Sequence, residues 1–154
     1  MAFVYACEFP DHLWFDVARD VWLEELPGGG LRLGMTDPAV TRAGRIVHVR
    51  VRAGRQAAPG QGVASVESSK WVGPVPTPLE ARVLRGNPLL ASDPGLLNRD
   101  PYGEGWLAEI EPVAAAPDLR ALGLRYGTDA LAPYTEKLRQ EGLNCIRCAD
   151  GAGQ

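Results

Sequence analysis

A mainly β fold with short helices, some of them C-terminal, is predicted by three features of this sequence. It holds 18 glycines and 13 prolines in 154 residues while 45% of the chain is apolar, so turns are frequent and the runs between them can still fill a core. Several of those runs alternate apolar and polar residues with the period of two that turns one side of a strand inward. Beyond residue 112 the alternation gives way to helical spacing. The length fits one domain, with a β portion over 1–112 and a helical extension and tail over 113–154 packed on it.

Taken in order, 12–18 reads as the first strand and 21–26 as the second, and Pro27-Gly28-Gly29-Gly30 turns the chain into 31–35 to make a hairpin. The glycine triplet is a turn and not a phosphate cradle, because neither a helix nor a Gly-Lys-Ser/Thr motif follows it. Thr36-Asp37-Pro38 is a helix start, an oxygen-bearing cap followed by proline in the first turn, and Gly44 ends the helix. The stretch 46–52 alternates most regularly, with Val47, Val49 and Val51 expected toward the core and His48, Arg50 and Arg52 toward solvent. A Pro/Gly turn over 57–62 leads to two β-prone runs, 63–66 and 71–75, which flank Glu67-Ser68-Ser69-Lys70 as a hairpin with Lys70 at or beside its tip.

A strand over 79–84 is broken at Asn87-Pro88, and a Pro/Gly turn after Asn98 introduces the last strand, with Trp106, Ala108 and Ile110 on one face. The β portion is expected to end at Pro112. Short helices are expected over 118–124 and 133–141, with Leu131, Tyr134 and Leu138 as a stripe that packs on the sheet.

A formal net charge of −3 gives no drive toward nucleic acid. The first ten residues hold neither a basic leader nor a long apolar run, so no secretory signal and no membrane span are expected, and the expected location is the cytoplasm. Three cysteines, Cys7, Cys145 and Cys148, are odd in number and too few for a disulfide-stapled fold, which fits a reducing compartment. Cys7 has no partner legible in the sequence. Cys145 and Cys148 form a Cys-x-x-Cys without the further ligands of a zinc site or the helix start of a thioredoxin-like motif, and read as tail cysteines without a dedicated role. His12 and His48 read as structural or exposed strand residues, and Ser68 and Ser69 as turn formers. No segment sets a nucleophile beside a base, so no catalytic residue and no metal site is expected. Five arginines (Arg42, Arg45, Arg50, Arg52 and Arg55) nevertheless crowd 42–55, and Arg45, Arg50 and Arg52 are candidates for docking an acidic partner or anionic substrate.

Four motifs carry a resemblance: His12-Leu13-Trp14; Leu33-Gly34-Met35-Thr36-Asp37-Pro38-Ala39; Glu67-Ser68-Ser69-Lys70-Trp71; and Asn98-Arg99-Asp100-Pro101-Tyr102-Gly103-Glu104-Gly105-Trp106. In order and spacing they resemble the H protein of the glycine cleavage system, whose segments read roughly His-Glu-Trp, Ile-Gly-Ile-Thr-Asp-Tyr-Ala, Glu-Ser-Val-Lys-Ala and Asn-Asp-Pro-Tyr-Gly-Glu-Gly-Trp. The resemblance runs from about residue 12 to 112. It implies a barrel-sandwich hybrid of lipoyl-domain type, with lipoic acid in amide linkage to Lys70 on a turn presented by Glu67, Ser68 and Ser69. It also implies a non-catalytic carrier, lipoylated by a lipoate ligase or related enzymes and reoxidised by dihydrolipoyl dehydrogenase.

Two departures bear on the cargo. The aminomethyl group of glycine cleavage is an amine, best held near a carboxylate. The family's Glu in His-Glu-Trp is Leu13 here, and an acidic position four residues after the lysine is Pro74. The arginine-rich stretch also replaces a segment that is acidic in those carriers. The run from Ser68 to Pro74 is similar to lipoate-binding proteins of the sulfur-oxidising heterodisulfide-reductase-like (sHdr) system. That similarity implies carriage of sulfur intermediates in the oxidation of sulfane sulfur or thiosulfate toward sulfite, with the sHdr-like complex as partner. An aminomethyl carrier, or an unmodified scaffold or lipoyl relay, are the alternatives.

Overall fold

The computed structural model of the chain describes residues 1–146. Among these residues, two strands, β1 (Ala2–Val4) and β2 (Cys7–Phe9), form an N-terminal hairpin. A larger sheet is built from β3 (Trp14–Asp16), β4 (Val21–Glu25), β5 (Leu31–Met35), β7 (Gln56–Ala57), β10 (Ala81–Gly86), β11 (Ala108–Pro112) and β12 (Arg125–Tyr126), in the order β12-β3-β4-β5-β11-β10-β7. A smaller sheet has the order β6-β8-β9, from Ile46–Val51, Gly62–Ser68 and Val72–Pro76. The helices are α1 (Asp37–Ala43), α2 (Leu96–Arg99) and α3 (Leu131–Glu141). The fold is thus mostly β sheet with a few short helices, as expected.

Alternation along β4 explains why there are two cores. Val21 and Leu23 face the smaller sheet and pack with Leu33, Val63, Val66, Val83 and Ile110. Trp22 points the other way, into a second cluster with Cys7, Phe9, Leu13, Phe15, Tyr134 and Leu138. There the Phe9 and Tyr134 rings stack 4.5 Å apart, so the N-terminal hairpin and α3 meet on the outer face of the larger sheet. Tyr134 and Leu138 are fully buried in this cluster, as the helical stripe requires.

Gly34 lies directly opposite Trp22 in the β4–β5 pair, and the indole fills the space a side chain there would need. A Cβ on Gly34 would sit 2.4–2.5 Å from three indole atoms. The ring cannot easily yield, because its Nε1 donates to the carbonyls of Met35 and Pro101, each at 3.1 Å. Gly34→Ala is expected to cost about 1–3 kcal/mol by overpacking. In thermal unfolding that is a midpoint lowered by roughly 2–12 °C; an unchanged midpoint would mean that the indole moves aside freely.

Several elements differ from expectation. The hairpin β1–β2 was not legible, because its turn is made by Tyr5 and Ala6 at φ of 49° and 63°, a conformation usually signalled by glycine or asparagine. The strand over 12–18 shortens to β3, since Asp20 turns the chain with φ of 58° and its amide donates to the Asp16 carbonyl at 2.8 Å. In β6 a bulge between Ile46 and His48 sends Ile46 into the core and leaves Val47 48% exposed, with Val49 and Val51 only half-buried. Residues 118–124 form turns, not a helix, around buried Leu119 and Leu124. The β structure does not end at Pro112, because β12 pairs with β3.

Cys7 does have a partner. It is bonded to Cys145, 138 residues away, with the Cα atoms 4.8 Å apart. The second core brings them together by packing the N-terminal hairpin against α3, so one disulfide does tie the fold, and the odd cysteine count gives no support to a reducing compartment. Cys148 lies outside the described residues.

Candidate functional site

The β8–β9 hairpin carries Lys70 at its tip. The last paired residues are Glu67 and Val72, and the Ser68 amide donates to the Trp71 carbonyl at 2.7 Å to close the turn. The buried Ser68 hydroxyl accepts from the Lys70 amide at 3.2 Å and donates to the Trp71 carbonyl at 3.3 Å. The Ser69 amide donates to the Arg45 carbonyl at 3.3 Å, which ties the tip to the segment entering β6. Ser68 therefore shapes the turn, while Glu67, Ser69 and Lys70 are exposed.

Lys70 lays its methylenes across Gly44. A Cβ on that glycine would come within 2.8 Å of Lys70 Cε and 3.6 Å of Nζ, and its φ of 85° ends α1. Glycine is thus needed there both for the helix stop and for the passage of the lysine arm. Nζ makes no hydrogen bond or ion pair among the described residues. The result is an unpaired primary amine on a stiff hairpin, open to acylation.

Beside it, a cleft of about 270 Å³ runs between α1 and β9. Trp71, the residue after the lysine, and Ala43, the residue before Gly44, both line it. Its walls are largely apolar, with Met35, Ala39 and Pro74 among them, and its polar groups are Arg19, Asp20 and Arg42. Asp20 is 6% exposed and fully engaged: Arg42 contacts it at 2.5 Å, Lys137 at 3.1 Å, and the Tyr134 hydroxyl donates to it at 3.0 Å. Burial, and then the Asp20 charge, push the Tyr134 phenol well above its usual range, which keeps it a donor. Arg42 also pairs with Glu141 at 2.9 Å, linking α1 to α3. The cleft thus offers apolar surface and arginines, and its one carboxylate already faces two cations.

Of the two positions where the resemblance places carboxylates, Leu13 is wholly inside the second core and Pro74 is a wall of the cleft. The arginine cluster divides. Arg42 joins the cleft, whereas Arg45, Arg50, Arg52 and Arg55 are exposed along the edge of the smaller sheet. Sequence reasoning missed Asp20, Gly44 and Tyr134 as parts of the site; only Gly44 had a signal, as a helix stop. His12 is exposed 3.9 Å from Glu24, and His48 is exposed opposite Glu67. No helix among the described residues is long and apolar enough to cross a membrane.

The glycine cleavage H-protein family model matches residues 14–125. Glycine cleavage system H protein 2 of Aquifex aeolicus is 38% identical over 140 residues, covering 90% of this chain and 86% of that protein. A probable glycine cleavage system H protein 2 of Sulfurisphaera tokodaii is 37% identical over 150 residues, 96% of this chain and 99% of the relative. The crystal structure of a glycine cleavage system H protein from Mycobacterium marinum superposes with a TM-score of 0.65 at 28% identity, over 87% of this chain and 99% of that one. With family, relatives and fold in agreement along most of its length, the chain belongs to the glycine cleavage H-protein family, non-catalytic carriers that hold lipoate covalently on a lysine.

Proposed function

We propose that Lys70 is the lipoylated lysine and that the chain is a carrier whose arm swings from the β8–β9 tip. The observation that carries this is the unpaired Lys70 side chain crossing Gly44, next to Trp71 and Ala43 of an apolar cleft. The residues present fit the group: amide formation costs no ion pair, and the cleft can shelter a hydrocarbon arm. When bound, lipoate would supply a dithiol/disulfide couple able to take up a group on sulfur and return it at a second enzyme. The protein's own part is to fix the root of that arm through Ser68 and Gly44, and Trp71, Ala39 and Pro74 would offer it apolar surface. Lipoylating enzymes and a dihydrolipoyl dehydrogenase are the partners this role requires, in the cytoplasm.

Two cargoes are in view. The names of the relatives support the aminomethyl cargo of glycine cleavage, and support it better than any other. A specific feature of the cleft favours the second, a sulfur cargo handled by an sHdr-like complex. A cationic amine would have to compete with Arg42 and Lys137 for Asp20, and Leu13 and Pro74 provide no other carboxylate. An uncharged or anionic sulfur group meets no such competition.

Offering the lipoylated protein in its disulfide form to glycine with glycine decarboxylase, and a separate sample reduced to the dithiol to a sulfane-sulfur donor, and weighing the intact protein after each, separates the two. Poor aminomethyl loading with ready uptake of sulfur is the outcome the cleft predicts. Robust aminomethyl loading would make the chain an ordinary glycine-cleavage carrier.

A further inference from the structure

No Asp or Glu occurs between Asp37 and Glu67, a stretch that contains five arginines in a chain of net charge −3. Arg42 spends its charge on Asp20 and Glu141. Arg45, Arg50, Arg52 and Arg55 are exposed and form no ion pair or side-chain hydrogen bond among the described residues. By contrast Arg19, Arg32, Arg85, Arg99, Arg120 and Arg139 each pair with a carboxylate. Arg82 and Arg125, on the larger sheet, are likewise exposed and unpaired among the described residues, but no other described stretch gathers four such arginines as residues 45–55 do.

Strand geometry says where they lie. After the bulge at Ile46, His48 and Arg50 share the outward side of β6, and Arg52 follows its last residue, its amide donating to the Val63 carbonyl at 2.9 Å. Opposite His48 and Arg50 on β8 are Glu67 and Ser65, and beyond these on β9 are Val72 and Pro74. Val72 is 70% exposed and stands two residues from Lys70. One sheet face thus runs from an open apolar patch beside Lys70 to a row of unpaired arginines, with Glu67 as its one acid.

The scale of this face fits one kind of partner. Arg50 pairs with Ser65, five residues along β8 from Lys70, or roughly 16 Å at strand spacing. A protein footprint of about 800 Å² is roughly 30 Å across, so an enzyme seated over the hairpin tip covers this face too. We propose that the outward face of the smaller sheet, from Val72 to Arg50 and Arg52, docks an acidic surface of the enzyme that acylates Lys70. The inference rests on the lipoyl reading for its choice of partner.

The test uses the unmodified full-length protein and the lipoylating enzyme of the same cells, with their affinity measured by calorimetry at rising NaCl. Arg50→Glu combined with Arg52→Glu is expected to weaken binding about tenfold at low salt and to flatten its salt dependence. Arg82→Glu combined with Arg125→Glu, on the larger sheet, is expected to do neither. Absent binding, salt-insensitive binding, or equal loss in both double variants overturns the proposal. So does tight binding of a DNA duplex that the first variant abolishes, which would make the face a nucleic-acid site. Transfer of lipoate is read separately by the mass of the Lys70 peptide, so failure of the lipoyl reading is seen apart from failure of docking.

Discussion

Lys70→Arg is expected to yield a folded protein that carries no lipoate at all. The guanidinium keeps the charge but stays protonated and offers no amine for an amide bond. Folding is expected to survive, because Lys70 is exposed, and its ammonium makes no ion pair or hydrogen bond among the described residues. Such surface changes fall within about 0.5 kcal/mol. Incubating wild type and variant with the lipoylating enzyme, lipoate and ATP, then comparing intact masses and thermal midpoints, checks both halves. Modification of the variant would place the arm on another residue, and an unfolded variant would make Lys70 structural.

The second large effect concerns stability. The Cys7–Cys145 bond joins the chain nearly end to end, and a loop of that length corresponds to roughly 5 kcal/mol in the chain-entropy account, with about 2–5 kcal/mol typical of native bonds removed. Replacing both cysteines by alanine is expected to lower the thermal midpoint by roughly 4–20 °C. Reduction of the wild type with dithiothreitol should bring it to the same value. The loss should be felt first where the bond acts, since the Cys145 amide donates to the Tyr5 carbonyl at 3.0 Å and Ile146 exchanges hydrogen bonds with Thr41 on α1. Early proteolytic cleavage near the N-terminal hairpin would show this; an unchanged midpoint would show that the bond contributes nothing.

What could be read in the sequence, and what could not, follows the range of the interactions involved. Strands β4, β5, β8 and β9 announce themselves by local alternation and turn residues. The cap of α1 is equally local, with the Thr36 side chain accepting from the Ala39 amide at 3.3 Å. The two-residue strand β12 exists only because β3 is there to pair with it. The bulge in β6 is set by its fit to β8, so the regular alternation of 46–52 misplaced Val47. The disulfide depends on a core formed from both ends of the chain.

The site divides the same way. Lys70 is visible because a hairpin tip and its flanking motif are contiguous. The cleft beside it is assembled from Asp20, Arg42 and Pro74, which belong to a turn, a helix and a strand far apart in sequence. That Leu13 and Pro74 are not carboxylates could be seen at once. That Asp20 stands nearby but is already held by Arg42 and Lys137 required the fold.

The central claim is that Lys70 bears the lipoyl arm, and the most direct measurement is the intact mass of the protein purified from its own cells, with peptide mapping around Lys70. The expected result is a lipoyl amide on the Lys70 peptide and on no other. An unmodified Lys70 peptide, from cells in which other lipoyl proteins are modified, would contradict it.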